Sequence, residues 1–195
     1  MQLYNGDCLE VMKSIPDKSI DLILCDLPYG ITKCKWDTPI DLFAMWNQYN
    51  RIIKDNAPIL LFAQTPFDKV LGSSNLSMLK YEWIWEKTQA TGHLNAKKMP
   101  MKAHENILVF YKKLPIYNPQ KTTGHKPIHS YTKYIKTQNN TDTNEEMLVL
   151  DNCMGSGSTG IACINTNRNF IGIELDKQYF DIAKERLTSY KKCND

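Results

Sequence analysis

Apolar residues fall in short blocks separated by polar and turn-forming stretches, and the blocks alternate between two periods. The run SIDLILC (19–25) is nearly continuous and β-rich, the pattern of a buried strand. It stops at Asp26-Leu27-Pro28-Tyr29-Gly30, where proline and glycine demand a loop. From Asp41 to Ile53 apolar residues recur at helical spacing: Leu42, Met45, Trp46, Tyr49, Ile52 and Ile53. PILLFA (58–63) predicts a second buried strand, and Phe67–Leu71 a short helix. Tyr81–Trp85 and Asn106–Tyr111 predict two further strands, with Trp83 and Trp85 expected to face one core layer. Then follow a short strand over Met147–Leu150, a helix over Gly157–Asn165, a strand over Asn169–Glu174 and a long amphipathic helix over Lys177–Tyr190. Strands alternating with helices predict an α/β fold with a mostly parallel sheet. Lys112–Glu146 has weak periodicity and reads as a long loop or inserted lobe.

Composition narrows the class. The 195 residues suit a single domain, 1–195, and 42% apolar with 23% charged residues exclude disorder or coiled coil as a description of the whole. No apolar run reaches the roughly 20 residues of a membrane span, and the start, MQLYNGDCLE, lacks signal-peptide regions. The six cysteines form no C-x-x-C pair, which fits reduced thiols in a cytoplasmic protein and gives no expectation of a structural metal. Net charge is only +3, but it is unevenly placed: Lys87–Asn140 holds ten lysines, all four histidines and one acid, Glu105. A basic segment within an otherwise acidic chain suits a polyanion, most simply nucleic acid, although a solvated lysine-rich loop has the same composition.

Two turns carry candidate chemistry. In MLVLDNCMGSGSTGIACINTNRNFIGIEL (147–175) a strand runs into Asp151, a glycine-rich turn follows, and a helix leads to a second strand ending at Glu174. Gly155, Gly157 and Gly160 spell G-x-G-x-x-G, a weak signal alone but stronger between a strand and a helix with an acid at the next strand end. Glycines let the backbone approach a ligand, and Glu174 is placed to accept from ribose hydroxyls. The turn suits an adenosine-containing cofactor, a dinucleotide or S-adenosylmethionine; a ligand-free strand-to-helix turn is the plain alternative. The other turn, Asp26–Tyr29, also follows a buried strand, so both should open on one rim of the sheet. A carboxylate and turn carbonyls can accept from an exocyclic amino group while an aromatic ring stacks on the base that bears it.

Together these stretches resemble the DNA amino-methyltransferases, which methylate adenine N6 or cytosine N4 with S-adenosylmethionine. Asp26–Tyr29 resembles their catalytic D-P-P-Y motif, with Leu27 in place of the first proline, and Asp151–Gly160 resembles their cofactor motif. The order, catalytic turn, basic segment, cofactor turn, is similar to the circularly permuted β group, and close likenesses occur in phages and prophages. The resemblance implies a Rossmann-like methyltransferase fold, catalysis by Asp26, Pro28 and Tyr29, and cofactor contacts from Asp7, Cys8, Asp26, Asp151, Gly155, Ser156, Gly157 and Glu174. Asp7 also suits a helix N-cap. The segment 87–140 corresponds to the inserted target-recognition region, with Lys97, Lys98, Lys102 and His104 as candidate DNA contacts. The implied substrate is adenine N6 in double-stranded DNA, reached by base flipping; cytosine N4, or a shortened, inactive nucleic-acid-binding relative, are the alternatives. Such enzymes often dimerise and can accompany a restriction partner. Relatives usually carry H-P-x-x-K-P and a helix before the cofactor strand, where this chain has only YTKYIKTQNNTDTNEEM (131–147). A nicotinamide-dependent oxidoreductase would share the glycine turn but explains neither the Asp26 turn nor the basic segment.

Overall fold

A computed structural model describes residues 1–30, 37–117 and 147–192; the expected recognition segment beyond Tyr117 and the stretch 131–146 lie outside them. Among the described residues seven strands form one sheet: β1 (Gln2–Asn5), β2 (Leu22–Asp26), β3 (Ile59–Ala63), β4 (Leu79–Thr91), β5 (Lys102–Phe110), β6 (Leu148–Asp151) and β7 (Asn169–Glu174). Their order is β1-β7-β6-β2-β3-β5-β4. The first five are parallel, and β5 runs antiparallel to both β3 and β4.

The parallel strands are buried on both faces, which is why their sequences read as continuous apolar runs. On one face Ile23, Cys25, Ile59 and Leu61 meet α2 (Leu42–Ile52) through Met45, Trp46, Tyr49 and Ile52. Asp41 caps that helix, accepting from the amides of Phe43 and Ala44 at 2.9 and 3.2 Å. α1 (Cys8–Met12) and α3 (Phe67–Ser74) pack against α2 on the same side. On the other face Val149 and Phe170 join Cys163, Ala183 and Leu187 from α4 (Ser158–Asn165) and α5 (Lys177–Lys192).

Every element predicted from periodicity is present, β7 with the expected bounds and the others with shifted ends. The largest difference is the β4–β5 hairpin. Two short strands were expected; the pair runs 13 and 9 residues and is joined by 92–101, which include a 3-10 turn at His93–Asn95. Thus Lys87–Thr91 and Lys102–Phe110, within the basic segment, are strands of the main sheet. Trp83 and Trp85 do share a face, but no layer of the described residues covers it: they are 46% and 48% exposed. No helix among the described residues is long and apolar enough to cross a membrane.

Candidate active site

The sheet's topology creates the site. β6 continues through α4 into β7 on one side, while β2 continues through α2 into β3 on the other. β6 and β2 are neighbours, so the chain diverges between them, and such a reversal opens a crevice beyond the carboxyl ends of the strands. A cavity of about 930 Å³ lies there, within the roughly 300–1,000 Å³ usual for ligand sites. Asp7, Cys8, Asp26, Pro28, Tyr29, Asp151, Gly155 and Glu174 all border it, bringing together four separated stretches of sequence. Ser156 and Gly157 do not. Ser156 lies beside Arg186, whose guanidinium donates to its carbonyl and Oγ at 3.2 Å, and Gly157 is buried against Leu187 and Ala183. The helix start instead offers Ser158 and Thr159 to the cavity.

The glycine-turn half is built by Glu174. Its Oε2 accepts from the Gly155 amide at 2.8 Å and its Oε1 from the Asp176 amide at 2.9 Å. The carboxylate therefore ties the end of β7 to the glycine turn and keeps a further lone pair on each oxygen for a ligand hydroxyl. Gly155 is left-handed, with φ +51°, and a Cβ built there meets no atom within 4 Å. The space beside it is open cavity, so the backbone can lie directly against a ligand. Asp7 accepts from the Leu9 amide at 2.7 Å as N-cap of α1, which leaves its other oxygen for a ligand amino group. Capping and ligand binding are therefore compatible. These donors and acceptors fit an adenosine-bearing group.

The half that holds Asp26 and Tyr29 lies one strand over. The Tyr29 hydroxyl donates to Asp26 Oδ1 at 2.6 Å, which fixes that oxygen and leaves Oδ2 for a substrate. One side of the Tyr29 ring rests on Phe67, with centroids 5.1 Å apart and a 31° tilt. The turn is closed by Asp37, whose Oδ1 accepts from the Gly30 amide at 2.8 Å. Asp26 reaches solvent through the cavity mouth yet has protein on most sides. This desolvation raises its pKa; the Tyr29 bond and Lys87 oppose the rise, and Glu105 adds to it. Glu105 and Lys87 are themselves an ion pair behind Trp85.

Asp151 lies beneath both halves. Burial pushes its carboxyl up to about 6, against hydrogen bonds from Thr159, the Cys153 amide and Cys25. A carboxyl whose pKa is raised on folding binds extra protons in the native state, so its contribution to stability is complete below about pH 4 and is lost as pH rises through 6. Asp151→Asn should abolish that slope. Chemical denaturation from pH 4 to 7 should show the wild type losing on the order of 2–3 kcal/mol relative to the variant. Parallel curves would mean that Asp151 is not the group titrating.

The cavity is also bordered by residues that motif reading missed: Asn152, Phe62, Gln64, Thr159, Tyr179 and Trp85. Gln64 had a usable signal, since it directly follows β3 on the rim that holds Asp26. Trp85 had none, because its strand was given no position in the sheet. Of the expected DNA contacts, Lys97 and Lys98 are exposed at the hairpin tip, and His104 is exposed opposite Glu86. Lys102 is not a free surface cation; it is half-buried and donates to Gln64 Oε1 at 3.3 Å.

Comparison with known proteins agrees with this geometry. A family model described as DNA methylase matches residues 126–185. The Type II methyltransferase M.HpaI of Haemophilus parainfluenzae is 26% identical over 242 residues, covering 96% of this chain and 74% of that protein. The alignment is longer than this 195-residue chain, so M.HpaI carries several dozen residues with no counterpart here. The DNA adenine methyltransferase YhdJ of Escherichia coli strain K12 is 27% identical over 241 residues, covering 95% and 82%. The crystal structure of the M1.HpyAVI–SAM complex superposes with a TM-score of 0.68 at 26% identity, over 95% of this chain and 99% of that one. Fold, site and relatives together make the chain similar to the DNA amino-methyltransferases.

Proposed function

We propose that the protein transfers a methyl group from S-adenosylmethionine to the N6 amino group of adenine in double-stranded DNA. The observation that carries this reading is the Asp26–Tyr29 pair bordering the same cavity as the glycine turn. Asp7, the Gly155 backbone and Glu174 would hold the cofactor, which supplies an electrophilic methyl group on a sulfonium. The chain's own residues do the rest. An exocyclic amino nitrogen is a poor nucleophile because its lone pair is delocalised into the ring. Asp26 Oδ2 and the carbonyls of the Leu27–Pro28 turn would accept its two hydrogens, drawing the nitrogen towards tetrahedral geometry and localising the lone pair. Reaching the site requires the base to leave the duplex, at a cost of a few kcal/mol. Stacking on the free face of Tyr29 offsets about 1–3 kcal/mol of that. Phe67 backs the ring, so the stacking surface is ordered before the base arrives. The exposed Lys97 and Lys98 at the hairpin tip are suited to phosphates.

Adenine is preferred over cytosine because the motif leads with Asp rather than Ser, a tendency of the family. The test is methyl transfer from labelled S-adenosylmethionine to unmethylated genomic DNA, followed by nucleoside mass spectrometry. N6-methyladenine is the expected product. N4-methylcytosine would overturn the choice of base while keeping the site, and absence of both from folded protein would overturn the activity.

A further inference from the structure

Beyond the amino group itself, a base pocket can read a second position on the base, and one side chain bordering the cavity has the chemistry to do so. Gln64 follows β3 directly and borders the cavity with Asp26, Tyr29 and Trp85. In the sheet, Asp26 pairs across to Phe62, two residues before Gln64, so the ends of β2 and β3 bring the carboxylate and the amide to the same stretch of rim. Among the described residues the amide has one hydrogen bond, from Lys102 Nζ to Oε1 at 3.3 Å. An ammonium can only donate, so this contact fixes the carbonyl end and leaves the NH₂ end as the free one. The rim that carries the acceptor Asp26 Oδ2 therefore also carries a donor, Gln64 Nε2, that has no partner among the described residues.

That order, acceptor then donor, matches one edge of two bases. Adenine presents its N6 amino donor next to the N1 acceptor, and cytosine its N4 amino donor next to the N3 acceptor. Guanine and thymine present the reverse, a carbonyl oxygen next to a ring N–H. We propose that Gln64 is a specificity-determining residue: its amide donates to the ring nitrogen adjacent to the target amino group, with Lys102 as the positioning residue that keeps the amide from flipping. The inference rests on the methyltransferase reading above and deepens it. The site then takes amino-bearing bases as a class and meets guanine or thymine with two mismatched pairs, a carbonyl oxygen against Asp26 and an N–H against the amide donor. Rejection by unpaired buried polar groups is the strongest discrimination such a pocket can have.

The test pairs a variant with an altered base in the full-length protein. Oligonucleotide duplexes carry the base that the wild type methylates, or its analogue lacking the ring nitrogen (1-deazaadenine for adenine, 3-deazacytosine for cytosine). For the wild type, the analogue should lower kcat/KM by about 10- to 100-fold. Gln64→Met, which keeps length and removes the amide, should lose a similar factor on the natural base and lose little more on the analogue, since the contact is already gone. S-adenosylmethionine affinity should be unchanged. Lys102→Met should reduce the penalty for the analogue, because a freed amide presents either end. Independent losses that multiply, or an analogue used by the wild type as well as the natural base, would overturn the role of Gln64. The second comparison needs no variant, so a misfolded Gln64→Met leaves the proposal open to refutation. Should the wild type methylate neither base, the methyltransferase reading itself is what fails.

Discussion

Asp26→Ala is expected to lower methyl transfer by about 10³-fold while S-adenosylmethionine binding changes by less than about threefold. The carboxylate touches the reacting nitrogen in the proposed mechanism, whereas Asp7, Gly155 and Glu174 hold the other half of the cavity. Alanine removes the acceptor and leaves the Tyr29 hydroxyl, now bound to Asp26 Oδ1, without its partner. Asp26→Asn keeps a carbonyl acceptor and should retain part of the activity. The pH profiles separate the two effects. Only the ionised carboxylate accepts with both oxygens, and desolvation raises the pKa of Asp26. Activity should therefore rise with pH along an acid limb lying above the ordinary carboxylate range. Tyr29→Phe removes a hydrogen bond that favours the ionised form, so its limb should move to higher pH. Asp26→Asn should lose the limb. Wild-type turnover in Asp26→Ala would remove this turn from the mechanism.

Much of this site was legible because it sits where strands end. A buried strand followed by Asp26-Leu27-Pro28-Tyr29, and another followed by Asp151 and a glycine turn, place both turns on one rim whatever the strand order, provided the sheet is parallel. The neighbourhood of β2 and β6 was not legible, because no local pattern encodes which strands pair. β1 was missed for a related reason: it is four residues long, lies at the sheet's edge, and only Leu3 is partly buried. Trp83 and Trp85 show the limit of periodicity. Alternation assigns both to one face, but whether a layer covers that face depends on the rest of the chain, and among the described residues both rings stay about half exposed. Lys102 illustrates the matching limit for charge. Composition made it a surface cation for DNA, while the hairpin brings it back onto Gln64.

The three glycines of the turn read as one motif, yet two of them, Gly155 and Gly160, should fail in different ways. Gly155→Val is expected to weaken S-adenosylmethionine binding by roughly 100-fold, on the order of 3 kcal/mol, with only a modest loss of stability. A Cβ at Gly155 meets no protein atom within 4 Å, so the branched side chain has no packing to disturb. Its left-handed backbone, φ +51°, adds about 1–2 kcal/mol of strain. The new methyl groups project into the open space that the cofactor would occupy, beside the amide that donates to Glu174. Gly160→Val should do the opposite. A Cβ there lies 2.7 Å from Leu187 Cδ2 and 3.0 Å from Phe170 Cε1, so the contact between α4 and α5 must spread. Overpacking of this kind costs about 1–3 kcal/mol, and it appears as a lower unfolding midpoint. Titration calorimetry with S-adenosylmethionine, alongside thermal unfolding of both variants, distinguishes the two. A Gly155→Val protein that binds the cofactor like the wild type would mean that the ligand does not approach this backbone, and the glycine turn would then be no more than a corner between β6 and α4.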